Sequence, residues 1–298
     1  NAYQNLNKGA NLSKNRLLRE EVYFQIAEIS FENNDFDKAL DSYQKVLSNT
    51  ISITRIQESN LKIVQIYRLR GELEKSANII QDLLVDEDFN SIKADLDLEL
   101  IKIEFERGKI DFAIQNYDRI GKDYPNTKTA IEAYFLLSEI YLSSSYLDFE
   151  KVQFFMNESM RQNTNSSFKQ IINKRRNDID KLIQLDIELK QLENSERVEN
   201  LFLTGQILAF NLAKYDESKT YFEEIIFKNQ SSDYYLQSLF ALYTLNLKIN
   251  NDEYLNYRDK IIADYPNSDF AKYIINFENI KIVHLPSKTL NEAEQLKI

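Results

Sequence analysis

The chain offers few residues that could do chemistry. It has one histidine, His284 in "KIVHLPS", and no cysteine. A single imidazole cannot complete a zinc site, and without thiols there are no disulfides, thiolate metal sites or cysteine nucleophiles. The five glycines are dispersed, so no Gly-rich loop is available to cradle a phosphate. Carboxylate pairs such as Asp95 and Asp97, or Glu223 and Glu224, have the chemistry of an acid–base couple. In a chain with 47 acidic residues, however, such pairs follow from composition. No catalytic residue, cofactor or metal ligand is assigned, His284 reads as an ordinary helix-end or surface residue, and the chain is not expected to be an enzyme.

Composition narrows the remaining classes. A net charge of −10 and a pI near 4.9 argue against nucleic acid, whose phosphates require a basic surface. The one basic run, Lys174-Arg175-Arg176, reads as a solvated helix face. No stretch reaches the roughly 18 apolar residues of a membrane span. The chain starts at Asn1 with no signal peptide, as expected of a mature or trimmed protein. A lipid anchor is expected only if residues before Asn1 were removed. Apolar residues make up 43%, enough for a sizeable core, while 5 glycines and 3 prolines are few for 298 residues. That scarcity favours long helices with short joints.

The elements that must position any site emerge from an internal repeat. Three segments align: "YFQIAEISFENNDFDKALDSYQKVL" (Tyr23–Leu47), "NLKIVQIYRLRGELEKSANIIQDLL" (Asn60–Leu84) and "DLELIKIEFERGKIDFAIQNYDRIG" (Asp97–Gly121). Small residues at Ala39, Ser76 and Ala113 stand 37 apart, as do Asn34, Gly71 and Gly108, and Phe36, Leu73 and Ile110. Each unit reads as two antiparallel helices: an apolar face at helical spacing, a left-handed residue to end it, then a second amphipathic helix. Such a hairpin cannot bury its apolar face alone, so its neighbours must stack.

The register resembles the tetratricopeptide repeat (TPR). Tyr23, Ile26-Ala27, Asn34, Phe36, Ala39 and Tyr43 fall on its signature positions in the first copy, and Gly108, Ala113, Tyr117 and Pro125 do so in the third. Ser76 and Ile80 depart from it, and the step is longer than the usual ~34 residues. The resemblance implies an all-α solenoid of stacked helix pairs with a long connecting helix in the middle. The expected divisions are a lead segment 1–18, an N-terminal array 19–165 of about four units, a connecting helix 166–197, and C-terminal units 198–298 with a capping helix and tail. Within the last, Gly205, Tyr215, Ser218 and Phe222 mark a fifth unit with one extra residue. "AYFLLSEIYL" with "DYPNT", and the later "FNLAKYDESKTYFEEIIF…IIADYPNSDFAKYI", resemble exported bacterial TPR proteins of the cell envelope, including the TPR lipoprotein of the outer-membrane β-barrel assembly machine. This implies a periplasmic or outer-membrane-associated location, with the cytoplasm as the alternative.

In TPR arrays the first helix of each repeat lines the concave surface. By that resemblance Phe24, Leu61, Leu98 and Phe135, again 37 apart, form an apolar stripe, flanked by Glu28, Gln65, Lys102 and Glu139. The expected partner is a protein or peptide segment. The alternatives are a structural subunit packing through its convex face and long helix, and a cytosolic co-chaperone that captures a carboxylate terminus. Glu21, Glu28, Glu132 and Glu139 make the groove acidic, which disfavours the last. Two of the three prolines sit in "DYPN" (Asp123–Asn126 and Asp264–Asn267), where a helix must stop. Asn126 or Thr127, and Asn267 or Ser268, can cap the helix that follows, and Thr129-Ala-Ile-Glu132 fits a capping box.

Overall fold

The computed structural model describes residues 14–143, 147–191 and 195–283. Most of the lead segment, His284, Pro286 and the tail lie outside the described residues. Among those described there are fourteen α-helices and no strand. Four hairpins come first: α1 (Arg16–Glu32) with α2 (Phe36–Asn49), α3 (Ile53–Leu69) with α4 (Leu73–Leu84), α5 (Lys93–Glu106) with α6 (Ile110–Asp123), and α7 (Lys128–Tyr141) with α8 (Phe149–Arg161). A long helix α9 (Ser167–Leu189) follows. Then come α10 (Ser195–Gln206) with α11 (Tyr215–Lys228), α12 (Tyr234–Lys248) with α13 (Tyr254–Asp264), and α14 (Asp269–Val283). The fold class is the expected all-α, TPR-like stack of antiparallel pairs. Contacts divide the chain into two compact units, and the boundary falls inside α9, after Ile172.

The turns form as their residues dictate. Asn34, Gly71 and Gly108 have φ of 57°, 75° and 83°. In each case the next N–H reaches back to a carbonyl of the first helix: Asp35 to Ser30 (2.8 Å), Glu72 to Tyr67 (2.8 Å) and Lys109 to Glu104 (3.0 Å). These bonds satisfy helix-end carbonyls that would otherwise be orphaned. Ala39, Ser76 and Ala113 are fully buried between the two helices of their hairpins. The departure at Ser76 costs nothing in unmade bonds, because its hydroxyl donates to the Val64 carbonyl at 2.8 Å.

The turn edge of the first unit carries a ladder that apolar periodicity does not reveal. Arg70 pairs with Asp37 and Arg107 with Glu74, each at 2.7 Å and each one repeat back. Another unforeseen element is the 3₁₀ helix Glu87–Ile92. It is started by Asp86, whose side chain accepts from the Asp88 N–H, and it is held down by Phe89, 5% exposed.

Both "DYPN" segments are joints. α6 ends at Asp123 and α13 at Asp264, just before Tyr-Pro. The cap of α7 is Thr127, which accepts from the Ala130 N–H at 3.0 Å, and the cap of α14 is Ser268, which accepts from Ala271 at 3.1 Å. The expected capping box at Thr129–Glu132 is corrected. Thr129 already lies inside α7, where its hydroxyl donates to Asp95 at 2.5 Å, while Glu132 pairs with Lys102 on α5. Asn126, at φ 63°, has a further role. Its N–H donates to Gln162 Oε1 at 2.8 Å and its Oδ1 accepts from the Asn163 N–H at 2.7 Å, tying the joint to the loop after α8.

Close approach of helices α6 and α7 depends on Gly121. A Cβ built there would lie 2.3 Å from Cζ of Tyr134, a ring that is 5% exposed. Gly121→Val is therefore expected to destabilise the protein by about 1–3 kcal/mol, because overpacking outweighs any gain in helix propensity. Thermal unfolding of Gly121→Ala and Gly121→Val against the wild type checks this: both should melt lower, the valine further.

Candidate functional site

The first helices of the first unit meet along a polar seam, on which the expected polar residues Glu28, Gln65 and Lys102 lie. Phe24 on α1 packs edge-on against Tyr43 at 6.1 Å, with the Arg55 guanidinium of α3 over its ring, 3.7 Å from the centroid. Arg55 is itself held by Glu20 (3.5 Å), Glu21 (3.2 Å) and Glu58 (3.2 Å). Glu28 accepts from the Tyr43 hydroxyl and lies 4.0 Å from Lys62. Burial, and then Glu28, push the Tyr43 phenol far above its usual pKa.

The seam is tightest between α3, α5 and α7. Glu99 is 3% exposed, yet two cations lie against its carboxylate. It receives Arg68 at 2.9 Å, Lys102 at 2.7 Å and the Gln65 amide at 3.2 Å. Lys102 also reaches Glu132 at 2.5 Å, and Arg68 reaches Glu106. Burial alone would raise the Glu99 pKa, but the Lys102 and Arg68 cations outweigh it and hold the carboxyl below its usual value. Lys102 is likewise raised: burial opposes its charge, and Glu99 and Glu132 prevail.

The apolar members of the register differ in access. Leu61 is half-buried against Ile80 and Leu96, while Leu98, 2% exposed, sits with Tyr117 and Leu137. Phe135, 8% exposed, meets Phe168 of the first turn of α9 at 5.8 Å, and Glu139 is half-buried and engaged. The expected open apolar stripe is thus interrupted, because two of its four members are core. The expected acidity is also offset, since Glu21, Glu28 and Glu132 each face a cation. Beside Phe168 a cleft of about 660 Å³ remains, lined by Asp95, Lys128, Glu132, Asn165, Ser166 and Gln170 as well as the ring. Lys128 and Gln170 are exposed in it.

The second unit presents a different first-helix seam, which lies outside the 37-residue register. Between α12 and α14 the contact is aromatic. Phe240 lies tilted against Phe270 at 4.6 Å and meets Tyr273 edge-on at 5.7 Å, and Tyr273 lies parallel to Phe277 at 6.1 Å. Tyr273 is 51% exposed, while Phe240 and Phe270 are half-buried. The available signal was the second "DYPN", which marks α14 as a first helix. Here "FAKYIINF" replaces the polar seam residues of α7 with rings.

Among the described residues, no group of three or more His, Cys, Asp or Glu side chains could hold a metal ion, and no helix is long and apolar enough to cross a membrane.

Against this geometry, residues 20–49 match the family model of the tetratricopeptide repeat. The match falls on the first hairpin, α1 with α2. No curated protein matches the chain. Among solved structures it is similar to pilF of Pseudomonas aeruginosa, at 13% identity over 89% of this chain and 99% of that one, with a TM-score of 0.38. It is also similar to a tetratricopeptide repeat protein of Parabacteroides merdae, at 11% identity over 86% and 97%, with a TM-score of 0.40. A third is the Rap conjugation gene regulator of the plasmid pLS20, solved with the Phr* peptide, at 15% identity over 90% and 76% and a TM-score of 0.43.

Proposed function

We propose that the chain is a non-enzymatic scaffold or adaptor that binds a protein or peptide segment on its first-helix faces. We further propose that it does so in a bacterial cell-envelope assembly, exported to the periplasm or the outer membrane. The observation that carries the reading is the repeat register, which sets first helices side by side and leaves the cleft between α5, α7 and Phe168 open. A groove flanked by mixed charge and floored by an aromatic ring suits an extended or helical segment. The envelope assignment is supported by the resemblance of the "DYPN"-bearing stretches to envelope TPR proteins.

One observation favours a second reading, a structural subunit that packs through its other faces: the seam residues from Glu28 to Lys102 are already paired with one another. Capture from envelope extracts with the full chain separates the two. Lys128→Glu/Gln170→Glu changes only exposed cleft residues, so melting should be unchanged. The scaffold reading expects at least about a tenfold loss of partner recovery, the size of effect seen when charges at an interface are reversed. Full recovery, with crosslinks confined to α9 and the second helices, would establish the structural subunit instead.

A further inference from the structure

Several buried and half-buried rings in this protein are covered by its own cations. Arg55 lies 3.7 Å from the centroid of Phe24, Lys75 4.0 Å from that of Tyr67 and Lys62 4.2 Å from that of Phe31. The same contact recurs with Lys151 over Tyr141 and Lys260 over Tyr235. The row Phe240, Phe270 and Tyr273 has no such cover among the described residues; nor have the exposed rings of Phe112, Phe210 and Phe227, but here three rings lie in contact. Among the described residues no lysine or arginine covers these rings, although Tyr273 is half exposed. The cation nearest in sequence, Lys272, is paired with Asp269 at 3.3 Å.

We propose that this aromatic row is a docking site for a basic segment of a partner protein, whose arginine side chains lie over the rings as Arg55 lies over Phe24. Arginine suits the site better than lysine. Its planar, weakly hydrated guanidinium stacks on a ring face, whereas an ammonium must shed a tighter water shell. Charge complementarity points the same way: a chain of net charge −10 draws a polybasic segment toward it and repels acidic ones. The rings then convert that non-specific attraction into a located contact.

This deepens the scaffold reading and rests on it. Its test uses a synthetic probe on a different part of the chain, so the two can fail separately. A fluorescein-labelled Gly-Arg repeat peptide is titrated against the full chain at about 150 mM salt, where exposed long-range charge is screened. Tyr273→Leu and Phe270→Leu/Tyr273→Leu keep both the net charge and the apolar bulk, and circular dichroism confirms their fold. The single variant should weaken binding roughly twofold to fivefold and the double variant up to about tenfold, as expected for cation–π contacts at exposed rings. A Gly-Lys repeat should bind less tightly than Gly-Arg to the wild type and lose less in the variants. Equal affinity of the wild type and the folded double variant would overturn the proposal, because charge alone would then account for binding. Tighter binding of a neutral proline-rich or apolar helical peptide would overturn it as well, since the occupant would be a different one.

Discussion

Glu99→Ala is expected to cost about 3 kcal/mol, the lower end of the range for breaking a buried ion pair, because Arg68 and Lys102 keep Glu106 and Glu132 as partners. The loss has two sources: the carboxylate accepts three bonds, and its removal leaves two partly buried cations facing one another's field. The pH dependence follows from the sign of the shift. The Glu99 carboxyl is lower in the folded state than its ordinary value near 4.5, so its contribution is complete above that value and fades as pH falls through the folded one. Lys102 is raised above its ordinary 10.5, so its contribution is complete below that value and fades only as pH rises beyond it. Urea unfolding of the wild type and of Glu99→Gln from pH 3 to pH 8 checks this. The difference between the two should be level above about pH 4.5 and shrink as pH falls below it. Parallel curves would show that the network adds nothing beyond packing.

Phe222→Ala is expected to cost about 3–5 kcal/mol, as a large buried aromatic does when a cavity replaces it. Phe222 is fully buried, packs edge-on to Phe202 at 5.7 Å, and fills the space over Gly205, where a Cβ would lie only 2.8 Å from the ring. The site cannot collapse readily, since Gly205 offers no side chain to move in. A compensating Gly205→Leu should recover part of the loss, although each change alone destabilises. Thermal unfolding of the single variants and the double variant measures the coupling.

The hairpins were legible in the sequence because each depends on local chemistry: a left-handed residue at 34, 71 and 108, a small residue at 39, 76 and 113, and apolar residues at helical spacing between them. Helix ends at "DYPN" were legible for the same reason, and only the choice among Asn126, Thr127 and Thr129 as cap needed three dimensions. The expected groove residues all lie on first helices, yet their access was not legible. Leu98 and Leu61 have the same residue type and register, and only their neighbours decide that one is core. The seam pairs were hidden differently. Arg68, Glu99 and Glu132 are far apart in sequence and ordinary in composition, so nothing local distinguishes them from solvated charges. The aromatic row escaped because the 37-residue step does not extend to it.

The fifth hairpin shows how this architecture tolerates change. Its first helix ends in a π-helical turn, Ile207–Asn211, with Ala213 at φ 55° and the Lys214 N–H bonded to the Leu208 carbonyl at 2.7 Å. An inserted residue in a regular helix would rotate everything after it by about 100° and turn its apolar face to water. Here the single extra residue widens one turn, and Phe222 still lands over Gly205. The bulge absorbs the extra residue locally, so the array can take up a single added residue at a helix end without repacking its core.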